Sequence, residues 1–368
     1  MAKTYRLGVI GFAHMHINEL IRKFAALPNV EWVACADTRP AVPELVEARN
    51  TRAWNVRQAH EVVGIPKVYE DYQEMLEKEQ FDIVLFCPEN ARHGEVGRAI
   101  AARGAHLVTE KPMAARLDDA RVMAGAAAEA GVKLMVNWPS TWRPATRKIK
   151  ELVDAGAIGQ LLEVRCRYGS QGPLSHGSVH PGVDGRMEEI TDEEKGATWW
   201  HRAGTGGGAL LDYCCYGACL SRWYVGEPAV EAIGLTANLN SPYGTAEDNA
   251  VITVRFPKAM ALLEATWSCV DHGQPVGPIL YGSTGTMRAD SDGVWLVEKK
   301  GAEPRIVTAE PLPAGRTTLA EEFIHHLETG EPLHPTLEPK FNLEAQAILE
   351  AGIRSAETGA RVAVEQIG

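Results

Sequence analysis

The feature that most constrains this chain is a run of apolar segments alternating with amphipathic ones through its first 137 residues. Residues 5–10 read as a short buried strand closed by Gly11, after which Ile17, Leu20, Ile21, Phe24 and Leu27 recur at helical spacing up to Pro28-Asn29. A second strand over 30–36 ends on Asp37. Residues 41–63 and 71–78 read as helical, and 81–87 as a continuous apolar strand stopped by Pro88. Helix, strand, helix and strand follow at 91–103, 105–109, 116–130 and 133–137. Strands that are apolar throughout and alternate with helices require a parallel sheet covered on both faces, a doubly wound α/β half.

The pattern changes after about residue 156. Segments 160–169, 229–238, 249–256, 259–269, 276–282 and 284–290 have strand composition, and turns such as Phe256-Pro257-Lys258 join neighbours closely. That predicts a largely antiparallel sheet, with helices at 208–225, 317–329 and 341–357. Between them, residues 169–197 form a glycine-bearing loop without periodicity, and long loops in compact domains usually carry function. The 368 residues suffice for two cores, placed at 1–140 and 141–368.

Composition narrows the partners. Thirty-seven basic against 48 acidic residues leave a formal charge of −11, a poor match for nucleic acid or an anionic membrane surface. No apolar run approaches the ~20 residues that span a bilayer, and no signal-peptide core precedes the first strand. Seven cysteines without CxxC spacing suggest neither a zinc site nor a disulfide framework. A small-molecule enzyme in a reducing, cytoplasmic setting is the expectation, with no bound metal.

A strand, a glycine turn, a helix and an acid closing the next strand make the arrangement that holds a dinucleotide. Backbone amides approach the pyrophosphate at the helix start, and the acid accepts the ribose hydroxyls. Gly11, Phe12, Ala13 and His14 would form the turn and Asp37 would take the ribose. A carboxylate there repels a 2′-phosphate, favouring NAD over NADP, although Arg39 weakens the preference. The turn departs from the usual pattern, with Ala13 and His16 where the second and third glycines belong. His14 and His16 are either polar residues of a helix-start turn or groups near cofactor or substrate.

Several motifs further on occur together and in order. Residues 81–90 lead to His93, then Gly104-Ala105-His106-Leu107-Val108-Thr109-Glu110-Lys111-Pro112, and later Gly206-Gly207-Gly208-Ala209-Leu210-Leu211-Asp212-Tyr213-Cys214-Cys215-Tyr216. The chain in this respect resembles the Gfo/Idh/MocA oxidoreductases over nearly its whole length. The resemblance implies an N-terminal Rossmann doubly wound parallel sheet and a C-terminal α+β domain with a large, mostly antiparallel sheet. It also implies NAD(P)-linked chemistry on sugars, cyclitols or related polyols and carbonyl compounds, and a homodimer or homotetramer formed through the C-terminal sheet. The final helix could pack back on the first domain.

By that resemblance Lys111, Asp212 and Tyr216 are the catalytic candidates. Most members carry His four residues after the acid, and tyrosine there is similar to the glucose–fructose oxidoreductase and dihydrodiol dehydrogenase branch, where it handles the proton. Cys87, Pro88, His93, Glu110 and Lys111 join the cofactor candidates; Asn137, Trp142, Arg143, Trp200 and His201 are substrate candidates. Chemically, oxidation of a secondary alcohol needs a proton acceptor. A phenol of pKa ~10 needs a neighbouring cation to serve, which Lys111 could supply. At i and i+4, Asp212 and Tyr216 share a helix face. Against each candidate stands a plainer role: a buried aromatic for Tyr216, a helix-start residue for Asp212, a surface ion pair for Arg143, core packing for Trp200, a solvated loop for His176 and His180. Two other functions stay open on the same scaffold: glycoside cleavage without net redox change, and a catalytically silent binding or regulatory protein.

Overall fold

In the computed structural model, which describes residues 3–271, 273, 275–291 and 293–368, two sheets organise the chain. The first holds β1 (Tyr5–Phe12), β2 (Val30–Ala36), β3 (Val68–Tyr69), β4 (Ile83–Cys87), β5 (His106–Glu110) and β6 (Leu134–Asn137). All its pairings are parallel, in the order β3-β2-β1-β4-β5-β6. Helices α1 (Ile17–Ala25), α2 (Arg52–Arg57), α3 (Tyr72–Lys78), α4 (His93–Ala101) and α5 (Leu117–Glu129) make the crossovers. Strand order reverses between β1 and β4, and ligands of such sheets bind outside the carboxyl ends at that point. β4 is buried along its whole length, as a strand covered on both faces must be.

The chain passes through α6 (Pro144–Asp154) into a nine-stranded sheet. Its strands are β7 (Leu161–Gly169), β8 (Glu231–Ala237), β9 (Asn249–Arg255), β10 (Met260–Thr266), β11 (Gly277–Gly282), β12 (Thr286–Asp290), β13 (Gly293–Val297), β14 (Arg305–Val307) and β15 (Val362–Ala363). Their order is β14-β13-β12-β11-β7-β10-β9-β8-β15, antiparallel throughout except for the parallel β7–β10 pair. One face is covered by α8 (Cys215–Val225) and α10 (Pro339–Thr358), while α7 (Asp192–Gly196) lies in the long loop and α9 (Leu319–Thr329) against α1. Helix α10 also reaches back to α5, where Glu350 accepts from Arg116, and Asn342 accepts from the indole of Trp138 at 2.7 Å.

Two stretches differ from the sequence expectation. Residues 41–63 are helical only from 52, as α2 followed by a π turn at Gln58–Val62. Pro40 and Pro43 remove amide donors, and Asn50 takes a left-handed φ of 70°, so no helix starts earlier. The helix expected at 208–225 opens as a π turn over Leu210–Cys214 before α8.

Candidate active site

Three elements deliver side chains to the carboxyl edge of the parallel sheet. β5 ends on Glu110 and presents Lys111; the turn after β1 presents His14 and His16; the π turn Leu210–Cys214 presents Asp212 and the start of α8 presents Tyr216. Lys111 is 1% exposed and spends two of its three donors on Asp212, one to the carboxylate at 2.8 Å and one to the backbone carbonyl at 2.9 Å. The indole of Trp267 donates to the other Asp212 oxygen at 3.0 Å, so both carboxylate oxygens are engaged. Tyr216 is stacked on Tyr168, with ring centroids 4.9 Å apart, and meets the edge of Trp138. Pi turns recur at functional sites because they re-aim helix side chains.

The ammonium of Lys111 lies 4.8 Å from the centre of the Tyr216 ring, over its face. Burial alone would favour the neutral amine, but the Asp212 carboxylate holds Lys111 well above the ordinary lysine range. Tyr216 is pushed upward by burial, which outweighs the pull of Lys111. It is therefore a neutral phenol at neutral pH, suited to giving a proton, rather than the phenolate that a cation at its hydroxyl would favour.

These groups line a cavity of about 200 Å³ together with His14, His16, Arg143, His180, Trp200 and Tyr213. His14 accepts the amide of His16 at its Nδ1 (3.1 Å), which places the proton of its neutral ring on Nε2. Burial keeps His14 well below the usual histidine range and holds His180 down to about 4. His180 binds the Pro173 carbonyl through Nε2 at 2.8 Å, leaving Nδ1 as its acceptor. Beneath them Glu110 accepts from Asn137 and approaches His16 at 3.4 Å; Asn137 in turn accepts from the indole of Trp142. On the far side of Arg143 a second cleft of about 630 Å³ opens past Trp142 and Tyr168. Among the described residues no acid pairs with Arg143, and no cluster of three or more metal-ligating side chains occurs.

Other sequence candidates lie elsewhere. His93 is fully buried, with Nδ1 on the Met113 carbonyl and its ring against Phe86. His201 packs between Tyr243 and Trp267. Gly11 has φ 79°, and a Cβ on it would run into the Pro88 backbone, so its glycine serves the close approach of β1 to the end of β4. The carbonyl of Cys87 accepts from His14 at 3.3 Å. Asp37 accepts the Phe12 and Thr38 amides and Arg52, all at 2.8 Å; Arg52 bridges on to Glu89. Sequence reasoning did not assign Tyr168, Tyr213 or Trp267, which are ordinary aromatics until the sheets bring them together. His16 and His180 were visible, His16 two residues from His14 and His180 four from His176, but a helix-start turn and a solvated loop accounted for both spacings.

A dinucleotide would run from Asp37 across the first turn of α1 to Lys111. Here that groove is filled by the chain itself. Trp199 donates to the Ala13 carbonyl at 2.7 Å, Trp200 packs 4.7 Å from His14, and Gly182 presses on the backbone of Asn18 and Glu19. Along it lie a space of about 10 Å³ beside Arg52 and Glu89 and the 200 Å³ chamber, each smaller than the roughly 300–1,000 Å³ of ligand pockets. In this conformation the residues present do not fit a whole dinucleotide.

A family profile described as an oxidoreductase family with an NAD-binding Rossmann fold matches residues 5–138, and one described as the GFO/IDH/MocA C-terminal domain matches 146–288. D-xylose 1-dehydrogenase (NADP(+)) 2 of Haloferax volcanii is 24% identical, over 82% of this chain and 86% of its own. Myo-inositol 2-dehydrogenase of Thermotoga maritima is 25% identical, over 77% and 80%. Aldose-aldose oxidoreductase from Caulobacter crescentus, solved with glycerol, superposes with a TM-score of 0.74 at 21% identity, over 98% of this chain and 100% of that one.

Proposed function

The chain belongs to the GFO/IDH/MocA oxidoreductases, whose relatives act on sugars and polyols, and on that premise we propose that it interconverts a secondary alcohol and a carbonyl on a sugar- or cyclitol-like substrate. The observation that carries this reading is the buried Lys111–Asp212 pair beneath Tyr216, at the edge of a chamber with two neutral histidines. Hydride chemistry in this family belongs to a nicotinamide cofactor. The chain's own groups handle the proton. Lys111, fixed by Asp212, holds a permanent positive charge where an alkoxide oxygen would form, and Tyr216 offers a phenolic proton to a carbonyl oxygen. The 630 Å³ cleft past Arg143 offers room for a part of the substrate that does not react.

For the cofactor we propose NAD, supported by Asp37 at the end of β2. Arg52, already on that carboxylate, is the observation favouring NADP, since arginine suits a 2′-phosphate. The outer face of the nine-stranded sheet, carrying exposed Ile233, Leu235, Val251 and Met260, supports a proposed homo-oligomer. All seven cysteines are unpaired and six are buried, which supports a cytoplasmic setting.

The test is a screen of polyols, cyclitols and aldoses with NAD and NADP, followed by nicotinamide absorbance. Tyr216→Phe should retain fold and lower kcat by about 10²-fold, the scale of one general acid. Wild-type turnover in Tyr216→Phe on a confirmed substrate would remove it from the proton path.

A further inference from the structure

The filled groove and the segment that fills it match in their apolar groups, and Trp199 donates to the Ala13 carbonyl, but several other polar atoms are left unmatched. Trp199 and Trp200 bury their rings against His14, 6.0 and 4.7 Å away, and against each other. Yet His14 Nε2, Asn90 Oδ1 and Arg52 Nε on the groove side are buried without a protein partner. So are Trp200 Nε1 and Arg202 Nε on the covering side. A buried polar group left unpaired costs about 1–3 kcal/mol, so this closure is under tension at its polar contacts. The orphaned groups include N–H donors suited to an anionic, hydroxyl-rich ligand.

Leu174, Met187, Ile190, Trp199 and Trp200 hold the segment by burial in the core, whereas its ion pairs at the rim are weak. Arg22 pairs with Asp184 at 2.7 Å and Arg49 with Glu188 at 3.2 Å, both at the surface, where such pairs contribute roughly 0–1 kcal/mol. Glycines in the left-handed region bound the segment at Gly172 (φ 102°) and Gly206 (φ 77°). Between them Gly182 lies so close to α1 that a Cβ would fall on the Glu19 amide nitrogen.

We propose that residues 172–205 are a displaceable strap closing the dinucleotide groove, and that a nicotinamide dinucleotide binds only the form in which the strap has swung off. This rests on the NAD(P)-linked reading above. Apparent affinity is then the intrinsic affinity reduced by the fraction of open molecules, and loosening the strap raises it.

The experiment titrates the full-length protein with NADH by calorimetry and reads the strap in parallel by trypsin cleavage at Arg186 and Lys195. Gly182→Val lifts the strap sterically; Arg22→Ala with Arg49→Ala loosens it from the surface and serves alone if the first variant does not fold. Expected are NADH-induced loss of protection in the wild type and NADH affinity at least about fivefold tighter in the variants. Equal affinity in all forms, with Arg186 and Lys195 still protected when NADH is bound, overturns the strap and leaves the proposed function standing. Strap cleavage without any heat of NADH binding overturns both, because the open groove would then not be a dinucleotide site.

Discussion

At Lys111 two opposing effects meet: burial disfavours an ammonium, and the Asp212 carboxylate 2.8 Å away favours it. Attraction prevails, and the pair becomes a unit whose halves depend on each other. Removing one partner of a buried pair costs about 3–5 kcal/mol, whereas replacing both by apolar groups is often neutral. Lys111→Met alone should therefore lower Tm sharply, and Lys111→Met with Asp212→Leu should recover most of it while remaining inactive. Recovery of activity along with stability would show the pair to be structural only. Histidine supplies a second test at this scale. Burial holds His93, His180 and His201 each at about 4, below the ordinary 6.5. The unfolded chain takes up these protons near 6.5 while the folded one does not, so stability is complete above that pH and is lost as pH falls toward 4. A Tm series from pH 7.5 to 4 should show the decline, and His93→Gln should fall less steeply. An unaltered slope would exclude His93 as a contributor. Lys111 and Tyr216 were legible from motif register, but not that the lysine lies over the ring face, because that depends on how the π turn rotates Tyr216.

Elements dock here through glycines that periodicity does not reveal. Gly234 in β8 faces Gly352 in α10 so closely that a Cβ on either would run into the other's neighbourhood: the Gly352 carbonyl in one case, Ile252 in the other. Gly234→Ala should therefore force α10 off the sheet, costing about 1–3 kcal/mol and several degrees of Tm. Gly125 in α5 has open space instead, and Gly125→Ala should stabilise by about 0.5–1 kcal/mol. Paired melting curves check the two signs; a destabilised Gly125→Ala would contradict the open space. Long apolar strands such as β4 were readable because burial on both faces leaves an unbroken run. The short β3, β14 and β15 were not, since two or three residues carry no period. Neither was the parallel β7–β10 pairing, which joins residues about a hundred positions apart.

Across the whole molecule, the outer sheet face remains uncovered over β8, β9 and β10, where Leu235 lies opposite Val251. Leu235→Lys with Val251→Lys should shift the protein toward monomer in size-exclusion chromatography with light scattering. A wild-type monomer, or an oligomer indifferent to both lysines, would refute that interface. Among the described residues no helix is long and apolar enough to cross a membrane. By itself the sequence determined the doubly wound first half and the antiparallel second half, because periodicity is a local property of the chain; Lys111, Asp212 and Tyr216 it offered only as candidates, through their motif register. Only the tertiary structure decided that Asp212 captures Lys111, that His180 joins His14 beside them, and that residues 172–205 lie in the groove. Each of those outcomes depends on contacts between segments far apart in sequence, where burial and charge compete and no local pattern records the winner.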